Sequence, residues 1–468
     1  MKALLNDKQK WLIPWVIAIA MFMETLDSTI VSVAIPHIAL NFGINPINLK
    51  LALTSYLLSL SIFIPISGWI ADKYQSGKVF GCALFIFTLS SLLCGLSSNL
   101  MELVFSRFLQ GFGGALMMPV GRLILLRIFS KEEMIRAFGI MIVPGLVGPA
   151  IGPILGGLIL QVTTWHWIFF VNIPFGILGI LTTYILLPAT DMNTLHPPFD
   201  WRGFILFSLG LMLLTIAMAI MGDNFTLLND ALLLLGLSSI FLSLYGYFSK
   251  KQTYPLLDLS LFRKKTFMVS MAINFLIRIG TGSVQFLIPL MIQLIWKKTA
   301  LFSGIMFLFL VTGMMSSRIC LNQILLTKIT YRQFLSASII VLSFLSVNLC
   351  WFVQPGSGTV LAIFLFVIGM VTTQLYMGFG ILYRVELVPS EFSQAASIAS
   401  TIQQFSAGFG IALAAIVLHA LKNGMGWPLF SRQAFFWTFI ILNGIGMLSL
   451  YFTQQLDKNL RFSVGTEK

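Results

Sequence analysis

Two carboxylates lie three residues apart inside the first long apolar run of the chain, which extends from about residue 11 to residue 35: Glu24 and Asp27. In a helix, positions i and i+3 share a face, so these two side chains point the same way. An ionised side chain at membrane depth costs about 2.5–3.5 kcal/mol on insertion scales. We therefore expect both acids to face a polar cavity or a partner inside a helix bundle, which predicts a proton or cation site. The alternative is that they form buried ion pairs that only orient helices.

The fourth apolar run carries a cation that could neutralise these acids. At a rise of about 1.5 Å per residue, Arg107 lies about 9 Å below the outer membrane surface and Asp27 about 8 Å below it. The two side chains can therefore lie at one level and form a pair. Gln110 and the glycines at 111, 113 and 114 follow Arg107, and the glycines would let another helix approach closely. The alternative is that Arg107 extends outward to the polar interface.

The fifth apolar run is rich in glycine and proline. Glycine recurs at positions 148, 152 and 156, a spacing of four residues that is typical of tight helix contact in membranes. Prolines remove backbone donors and are expected to bend this helix. A nucleotide-binding glycine loop is excluded because no strand precedes the run and its surroundings are apolar. The residues of this predicted interface are Pro144, Gly145, Gly148, Pro149, Gly152, Pro153, Gly156 and Gly157.

The composition predicts a polytopic membrane protein. Of the 468 residues, 57% are hydrophobic and only 10% are charged, whereas a soluble domain carries about 25% charged residues. The first apolar run has no small-residue cleavage site and is expected to remain as a helix. Fourteen runs are long enough to span a bilayer, near residues 12–35, 49–70, 79–98, 101–125, 136–160, 167–188, 203–222, 230–248, 267–293, 301–326, 334–352, 359–383, 396–419 and 434–453.

Charge and loop length predict the topology. An even number of helices places both termini on one side, and most of the 29 Lys and Arg then fall on that side, so both termini are predicted to be cytoplasmic. Polar connections near residues 189–202 and 249–266 bracket the seventh and eighth runs, which indicates a 6+2+6 arrangement. The predicted parts are a six-helix bundle over 1–188, two inserted helices over 189–265, a second six-helix bundle over 266–455 and a cytoplasmic tail over 456–468.

The composition also excludes several classes of protein and site. The net charge of +13 reflects basic residues beside membrane helices on the cytoplasmic side, and no nucleic-acid partner is expected. The four cysteines lie in apolar runs without paired spacing, so no disulfide framework and no metal site are predicted. No nucleophile or metal constellation indicates an enzyme, no P-loop occurs, and no cofactor is expected.

The connection between the second and third runs is short and charged. It contains Gly68, Asp72, Lys73 and Lys78. Asp72 stands at the start of a tight turn, where it could accept hydrogen bonds from backbone or basic groups. Taken by itself, the segment is best explained as an ordinary anchored loop.

Six segments, taken in order, resemble one family. They are LDSTIVSVAIP from Leu26, GWIADKYQSGKVF from Gly68, RFLQGFGGA from Arg107, GPAIGPILGG over residues 148–157, WHWIFFVNIPFG from Trp165 and LLDLSLFRKKTF over residues 256–267. Together they resemble the motifs of the major facilitator superfamily and, within it, the fourteen-helix drug:proton antiporter branch (the EmrB/QacA subfamily). The resemblance covers nearly the whole chain, and the stretch over residues 148–157 is similar to the motif typical of antiporters.

This resemblance implies an all-α major facilitator fold and roles for particular residues. It implies proton coupling by Asp27 and Arg107, with Glu24 as an additional acid beyond the branch motif. It further implies gating by the loop with Asp72, and rocking at the glycines of the fifth run. The chain departs from the motifs at Ser32, Gln75, Ser76 and His166, where the family has Asn, Gly, Arg and Arg. The loop departures imply a weaker ionic latch.

The predicted function is proton-coupled export of amphipathic, drug-like molecules by alternating access. Aromatic residues make up 13% of the chain and Met occurs 22 times, which would suit an adaptable apolar cavity, although lipid-facing surface explains most of these residues. One alternative is an exporter of a single endogenous metabolite or siderophore; another is a non-transporting sensor with the same fold. Expected partners are protons, a small-molecule substrate and the lipid bilayer of a plasma membrane, here a bacterial inner membrane, around a monomer. The candidate substrate-cavity residues are Glu24, Gln110, Arg278 and Gln285.

Overall fold

The computed structural model describes residues 7–187, 198–222, 227–320, 330–353, 357–458 and 460. Within these ranges the chain forms fourteen helices of fifteen or more residues. They are α1 (Ile13–Phe42), α2 (Lys50–Lys73), α3 (Ser76–Leu96), α4 (Leu100–Ile128), α5 (Lys131–Val162), α6 (Asn172–Leu186), α7 (Trp201–Met221), α8 (Leu228–Ser249), α9 (Lys265–Leu290), α10 (Ala300–Cys320), α11 (Tyr331–Asn348), α12 (Gly358–Leu382), α13 (Phe392–Met425) and α14 (Arg432–Met447).

Every predicted apolar run overlaps one of these helices, in order, so the helical class and the succession of helices are confirmed. In the described ranges, thirteen helical segments are long and apolar enough to cross a membrane, and α11 is the long helix outside that set. The first run was predicted to end near residue 35, and this boundary is wrong because the helix extends seven residues further. The helix α1 continues through Pro36 to Phe42 and ends at Gly43, whose φ of 67° is readily adopted by glycine.

The start of α5 is fixed by a local hydrogen-bonding motif. Ser130 caps the helix, and its hydroxyl accepts a hydrogen bond from the backbone N–H of Glu133. The Glu133 carboxylate accepts one in return from the backbone N–H of Ser130. This capping box satisfies two N–H groups at the helix end and extends α5 five residues before the predicted run.

The chain divides into two compact units. Helices α1–α6 belong to the N-terminal unit and α9–α14 to the C-terminal unit. The division passes through α7 and α8: Met1–Leu213 and Leu237–Leu256 form the N-terminal unit, and Leu214–Gly236 and Leu257–Lys468 form the C-terminal unit. Where α7 and α8 meet in the N-terminal unit, the Ser238 hydroxyl donates to the Gly210 carbonyl over 2.7 Å.

The two units pair their helices in the same order. In the N-terminal unit α1 packs against α5, α4 packs against α2 and α3, and α6 packs against α3. In the C-terminal unit α9 packs against α13, α12 packs against α10 and α11, and α14 packs against α11. Each pairing of the second set follows from the first when eight is added to the helix number. Two related six-helix bundles are typical of transporters built from repeats.

Candidate functional site

Asp27 lies at the centre of a buried hydrogen-bonded network in the N-terminal unit. Its carboxylate is completely buried, and Oδ2 accepts a hydrogen bond of 2.5 Å from Nη1 of Arg107, which is 1% exposed. Oδ1 accepts from the side-chain amides of Gln110 at 2.9 Å and of Asn172 at 3.2 Å. Helices α4 and α6 therefore supply the three donors to the carboxylate on α1. The pairing of Asp27 with Arg107 was allowed by the depth estimate, and the structure contains it.

A hydroxyl group on α3 completes this network. The Ser91 Oγ accepts hydrogen bonds from Asn172 at 3.2 Å and from Gln110 at 3.4 Å, and it donates to the backbone carbonyl of Phe169 over 2.9 Å. The Cys94 thiol is 3.6 Å from the Gln110 carbonyl oxygen. Because buried polar groups are costly unless they are hydrogen-bonded, these contacts fix the orientation of both amides around Asp27.

Arg107 is held by more than its carboxylate partner. Its guanidinium lies 4.3 Å above the ring of Tyr56 and 5.9 Å from the ring of Phe169, and Nη1 also donates to Gln110 over 2.7 Å. Among the residues that the structure describes, no group accepts a hydrogen bond from Nε. A buried ion pair is costly to break because one charge is then left unpaired, by about 3–5 kcal/mol.

Glu24 lies one helical turn before Asp27 and is also buried, at 8% exposure. Its Oε2 atom has no hydrogen-bond partner within the described residues, and the same holds for the hydroxyl groups of Tyr56 and Ser59 on α2. The two carboxylates therefore differ, since all the oxygens of Asp27 accept hydrogen bonds and one oxygen of Glu24 accepts none. Glu24 can take a proton or a cationic group without displacing a partner from that oxygen.

Glycines on α4 explain how Arg107 and Gln110 reach this position. A Cβ atom at Gly111 would lie 2.6 Å from the carbonyl oxygen of Tyr56 on α2, and one at Gly113 would lie 2.9 Å from the carbonyl oxygen of Ala83 on α3. Contacts this short leave no room for a side chain. The helix α4 can therefore approach two neighbours at once, which carries the polar turn just before the glycines into the centre of the unit.

Glycines on α5 bring a second backbone against the segment of α1 that carries Asp27. A Cβ atom added at Gly148 would lie 3.0 Å from the Leu26 nitrogen. One added at Gly152 would lie 3.1 Å from the Leu26 oxygen, and one added at Gly156 would lie 3.1 Å from the Ile30 oxygen. The predicted close helix contact is thus present, and its partner is α1. The helix continues without interruption through Pro144, Pro149 and Pro153. Gly145 faces the Met21 side chain, and Gly157 is buried.

The connection between α2 and α3 is anchored to the end of α4. Asp72 forms an ion pair with Arg127, which also donates to the Ser76 hydroxyl over 3.4 Å. Lys73 lies over the Trp69 ring at 4.6 Å. Gly68 and Lys78 are exposed. Gln75, at the position where the family has glycine, has a positive φ of 67°, which explains in physical terms why glycine suits this position.

The remaining candidate substrate residues lie in the C-terminal unit. Nε of Arg278 donates to the Asn274 side-chain oxygen over 2.8 Å, and its guanidinium lies 4.0 Å from the Tyr376 ring. The Tyr376 hydroxyl is 2.8 Å from that of Thr281. Gln285 is exposed and lines a cavity inside this unit. Of the four candidates, Gln110 belongs to the Asp27 network and Glu24 lies beside it.

Three residues of this arrangement were not among the candidates predicted from the sequence: Asn172, Ser91 and Tyr56. Asn172 stands within the WHWIFFVNIPFG segment, so its motif is a usable signal. Ser91 and Tyr56 lie in ordinary apolar runs and carry no such signal. Their importance comes from contacts with residues far away in the sequence.

Comparison with known proteins identifies the family. The family profile described as Major Facilitator Superfamily matches residues 17–411. The chain belongs to this superfamily. It is therefore a multi-pass protein of the plasma membrane from a family of small-molecule transporters, and the family expected from the sequence motifs is confirmed.

Curated relatives point to one group within the superfamily. The chain is 35% identical over 415 residues to the protein named "Putative multidrug resistance protein MdtD" of Escherichia coli O6:H1, covering 88% of this chain and 87% of that protein. It is 36% identical over 418 residues to the protein of the same name from Citrobacter koseri, with the same coverage. The similarity to the multidrug resistance group that the motifs indicated is confirmed.

Solved structures share the fold. A bacterial homologue of the human lysosomal transporter Spinster, in an inward-facing and occupied conformation, aligns with a TM-score of 0.66 at 14% identity, covering 98% of this chain and all of that one. A mutant of the nucleoside transporter NupG aligns with a TM-score of 0.63 at 13% identity, covering 94% of this chain and 99% of that one. At this identity the likeness establishes the fold alone.

Proposed function

We propose that the protein is a proton-coupled antiporter that exports amphipathic, drug-like molecules by alternating access. The observation that carries the proposal is the Asp27 carboxylate, which is completely buried in a membrane helix and accepts hydrogen bonds from Arg107, Gln110 and Asn172. Ionisable groups inside membrane segments are costly and usually mark ion or proton pathways.

Proton binding at this site competes with the ion pair. Oδ2 of Asp27 accepts from Arg107, and Oδ1 accepts from Gln110 and Asn172. A proton on Oδ1 replaces one of its two hydrogen bonds, and a proton on either oxygen removes the charge that pairs with Arg107. Proton loading therefore requires the surrounding helices to rearrange. A ligand that favours one of two arrangements is what alternating access needs.

The glycine contacts offer a route for that rearrangement. The backbone of α5 contacts the backbone of α1 at Leu26 and Ile30, on both sides of Asp27. We propose that α5 shifts along α1 and so moves the carboxylate relative to Arg107, because the glycines contribute no side chains to this interface. The side chains that face these glycines come from α1 and belong to Thr25, Thr29 and Ile30. We propose that protonation of Asp27 and movement of α5 are coupled in this way, with the Asp72 loop acting in gating.

Glu24 is the proposed contact for cationic substrates. One of its oxygens has no hydrogen-bond partner among the described residues, and the residue lies on the same helical face as Asp27. Substrate and proton would then compete for one central state, loaded in opposite half-cycles. We further propose that transport is outward, that both termini are cytoplasmic and that the helices are arranged 6+2+6. The charge asymmetry of the loops supports the topology, and the multidrug resistance names of the relatives support export.

A second candidate is the export of one endogenous metabolite. Arg278 favours it, because the partners described for its guanidinium, Asn274 and the Tyr376 ring, are both uncharged. Arginine is well suited to carboxylate and phosphate groups, so this residue would select an anionic metabolite or siderophore. The third possibility, a sensor that does not transport, predicts ligand binding without any proton movement.

The test uses purified protein in vesicles with an imposed pH gradient, assayed for dye efflux and proton release. Wild type should export cationic dyes, and substrate addition near neutral pH should release protons. Asp27→Asn should reduce both to the level of empty vesicles, and Glu24→Gln should slow cationic dyes more than neutral ones. Asp230→Asn, which changes an exposed acid in the first turn of α8, is the matched control.

The outcomes separate the three candidates. Wild-type efflux in Asp27→Asn at neutral pH would overturn proton coupling through this residue. Substrate binding that leaves proton occupancy unchanged between about pH 6 and 8 would exclude direct competition. The second candidate would be favoured if Arg278→Gln abolishes the transport of anionic metabolites and leaves the transport of neutral dyes unchanged.

A further inference from the structure

The C-terminal unit contains a cavity among α9, α10, α11, α12 and α14. Its lining extends along α9 from Ile277 to Gln285, a length of about 12 Å at the helical rise of 1.5 Å per residue. The walls combine apolar side chains with neutral polar ones. The apolar part includes Leu310, Met314, Ile368, Phe439 and Leu442, and the polar part includes Thr281, Ser343, Ser346, Thr372 and Asn443.

One hydroxyl group in this wall is buried without a partner. Thr372 on α12 is 1% exposed, and its Oγ1 has no hydrogen-bond partner within the described part of the chain. Two other hydroxyls of the wall have partners: Thr281 pairs with Tyr376, and Ser283 donates to the Ile279 carbonyl over 2.6 Å. A buried polar group without a partner is costly, so Thr372 points to a group that enters the cavity and bonds to it.

The lining excludes ions as ligands. Among the described residues that line this cavity there is no Asp, Glu, Lys, Arg or His. A charged ligand would lose its hydration without gaining an opposite charge, which is strongly unfavourable. An uncharged ligand with an apolar body and one or two hydrogen-bonding groups fits both kinds of wall.

The cavity lies at the place in its unit that the Asp27 network occupies in the other. Glycines of α5 contact the backbone of α1 at Leu26, and Gly410 of α13 contacts the backbone of α9 at Ile279. The next residues are Asp27 in α1 and Gly280 in α9, and Gly280 lines the cavity. At this place the C-terminal unit thus has a cavity whose described lining residues are uncharged, where the N-terminal unit has an ion pair.

We propose that this cavity is a binding site for small uncharged amphiphiles, such as phenols or short alcohols, which hydrogen-bond to the Thr372 hydroxyl. The site is separate from proton coupling, because none of its lining residues belongs to the Asp27 network. Its test therefore fails or succeeds independently of the proposed transport function.

The experiment measures binding of two fluorinated probes to the full chain in lipid nanodiscs by ¹⁹F NMR. 4-Fluorophenol and fluorobenzene share a ring and differ by the hydroxyl group, and empty nanodiscs give the background from lipid. Thr372→Val keeps the side-chain shape and removes the hydroxyl. Thr373→Val is the matched control, since the adjacent hydroxyl donates to the Gly369 carbonyl and does not line the cavity.

A second variant fills the cavity. Gly280→Leu places a side chain in the wall where an added Cβ meets no atom within 4 Å. Gly446→Leu does the same from α14, at a position with equal clearance. It replaces Gly280→Leu if that variant does not fold.

Wild type should bind 4-fluorophenol more tightly than fluorobenzene. Thr372→Val should weaken the binding of 4-fluorophenol roughly fivefold, as expected for one lost hydrogen bond. It should leave the binding of fluorobenzene unchanged. Thr373→Val should behave as wild type, and the filled variant should bind neither probe. The proposal is overturned if wild type binds neither probe above the lipid background, or if the filled variant binds both as well as wild type does.

Discussion

The N-terminal and C-terminal units pair their helices in the same order, yet their interiors differ in chemistry. Inside the first, Asp27 and Arg107 form a fully buried ion pair supported by two amides and a hydroxyl. Inside the second, the corresponding place is a cavity whose described lining residues are uncharged and include Thr372, a buried hydroxyl without a partner in the described part of the chain. The scaffold therefore does not require a charge at its centre, which supports a functional reason for the charge in the first unit.

The scaffold itself is maintained in both units by the same devices. Glycine removes the side chain where backbones meet, at Gly152 in α5 and at Gly410 in α13. A lysine before the first helix of each unit pairs with a glutamate near the start of the fifth. Lys10 is 2.7 Å from Glu133, and Lys264 pairs with Glu391. These shared features concern packing and helix ends, and they leave the interior free to differ.

The largest expected effect comes from Arg107→Gln. It leaves the Asp27 carboxylate buried without its charge partner, so we expect a loss of about 3–5 kcal/mol in unfolding free energy and loss of transport. An arginine change in the other unit, Arg278→Gln, should cost less than about 1.5 kcal/mol, because one hydrogen bond to the neutral acceptor Asn274 is lost and no acid is left unpaired. Reversible denaturant titration in one detergent compares the two. Equal losses would mean that the two interiors are electrostatically alike.

The glycine interfaces should respond alike in both units. Gly152→Leu and Gly410→Leu each drive a side chain into a backbone, which we expect to cost about 3 kcal/mol or more by overpacking. Gly139→Leu is the control on α5, since an added Cβ there meets no atom within 4 Å. Thermal unfolding measures the cost, and labelling of single cysteines from each side of the membrane measures the effect of Gly152→Leu on access. An unchanged labelling ratio with normal transport would remove the argument for a moving interface.

Each unit also has one described non-glycine residue with positive φ, Gln75 at 67° and Lys297 at 55°. Replacing either by glycine relieves backbone strain, so we expect Gln75→Gly to raise the unfolding free energy by about 1 kcal/mol and Lys297→Gly to act in the same direction. Tyr74→Gly, at a φ of −114°, should instead destabilise. A lower stability in Gln75→Gly than in wild type would show that the side chain of Gln75 makes a compensating contact.

The smallest effect concerns the ion pair at the start of the fifth helix in the C-terminal unit. The hydrogen bond from Lys264, with a further one from the Val388 N–H, holds the pKa of Glu391 below its usual value of 4.5. A lowered pKa in the folded state means that the stabilisation is fully present above about pH 4.5 and is lost as the pH falls through the folded value. Melting temperatures of wild type and Glu391→Gln should therefore differ slightly near pH 7 and converge once the pH falls below the lowered pKa of Glu391. A difference that stays constant with pH would exclude this ion pair as its cause.

The sequence by itself determined the succession of helices and the residue types available for chemistry. Fourteen apolar runs predicted fourteen helices, because a bilayer requires every backbone group to be bonded within the segment. The cost of charge in lipid made Glu24, Asp27 and Arg107 stand out, and the glycine spacing at 148, 152 and 156 predicted a close backbone contact. These are local properties, which a reader can find from spacing and hydropathy alone.

The tertiary structure alone decided which of these residues meet. Asn172 reaches Asp27 across 145 positions of the chain, and Ser91 reaches the Phe169 carbonyl across 78. The rotation of each helix about its axis selects such contacts, and nearly uniform apolar runs do not encode that rotation locally. The difference between a filled interior in one unit and a cavity at Thr372 in the other arises in the same way, because packing of five helices sets the space between them.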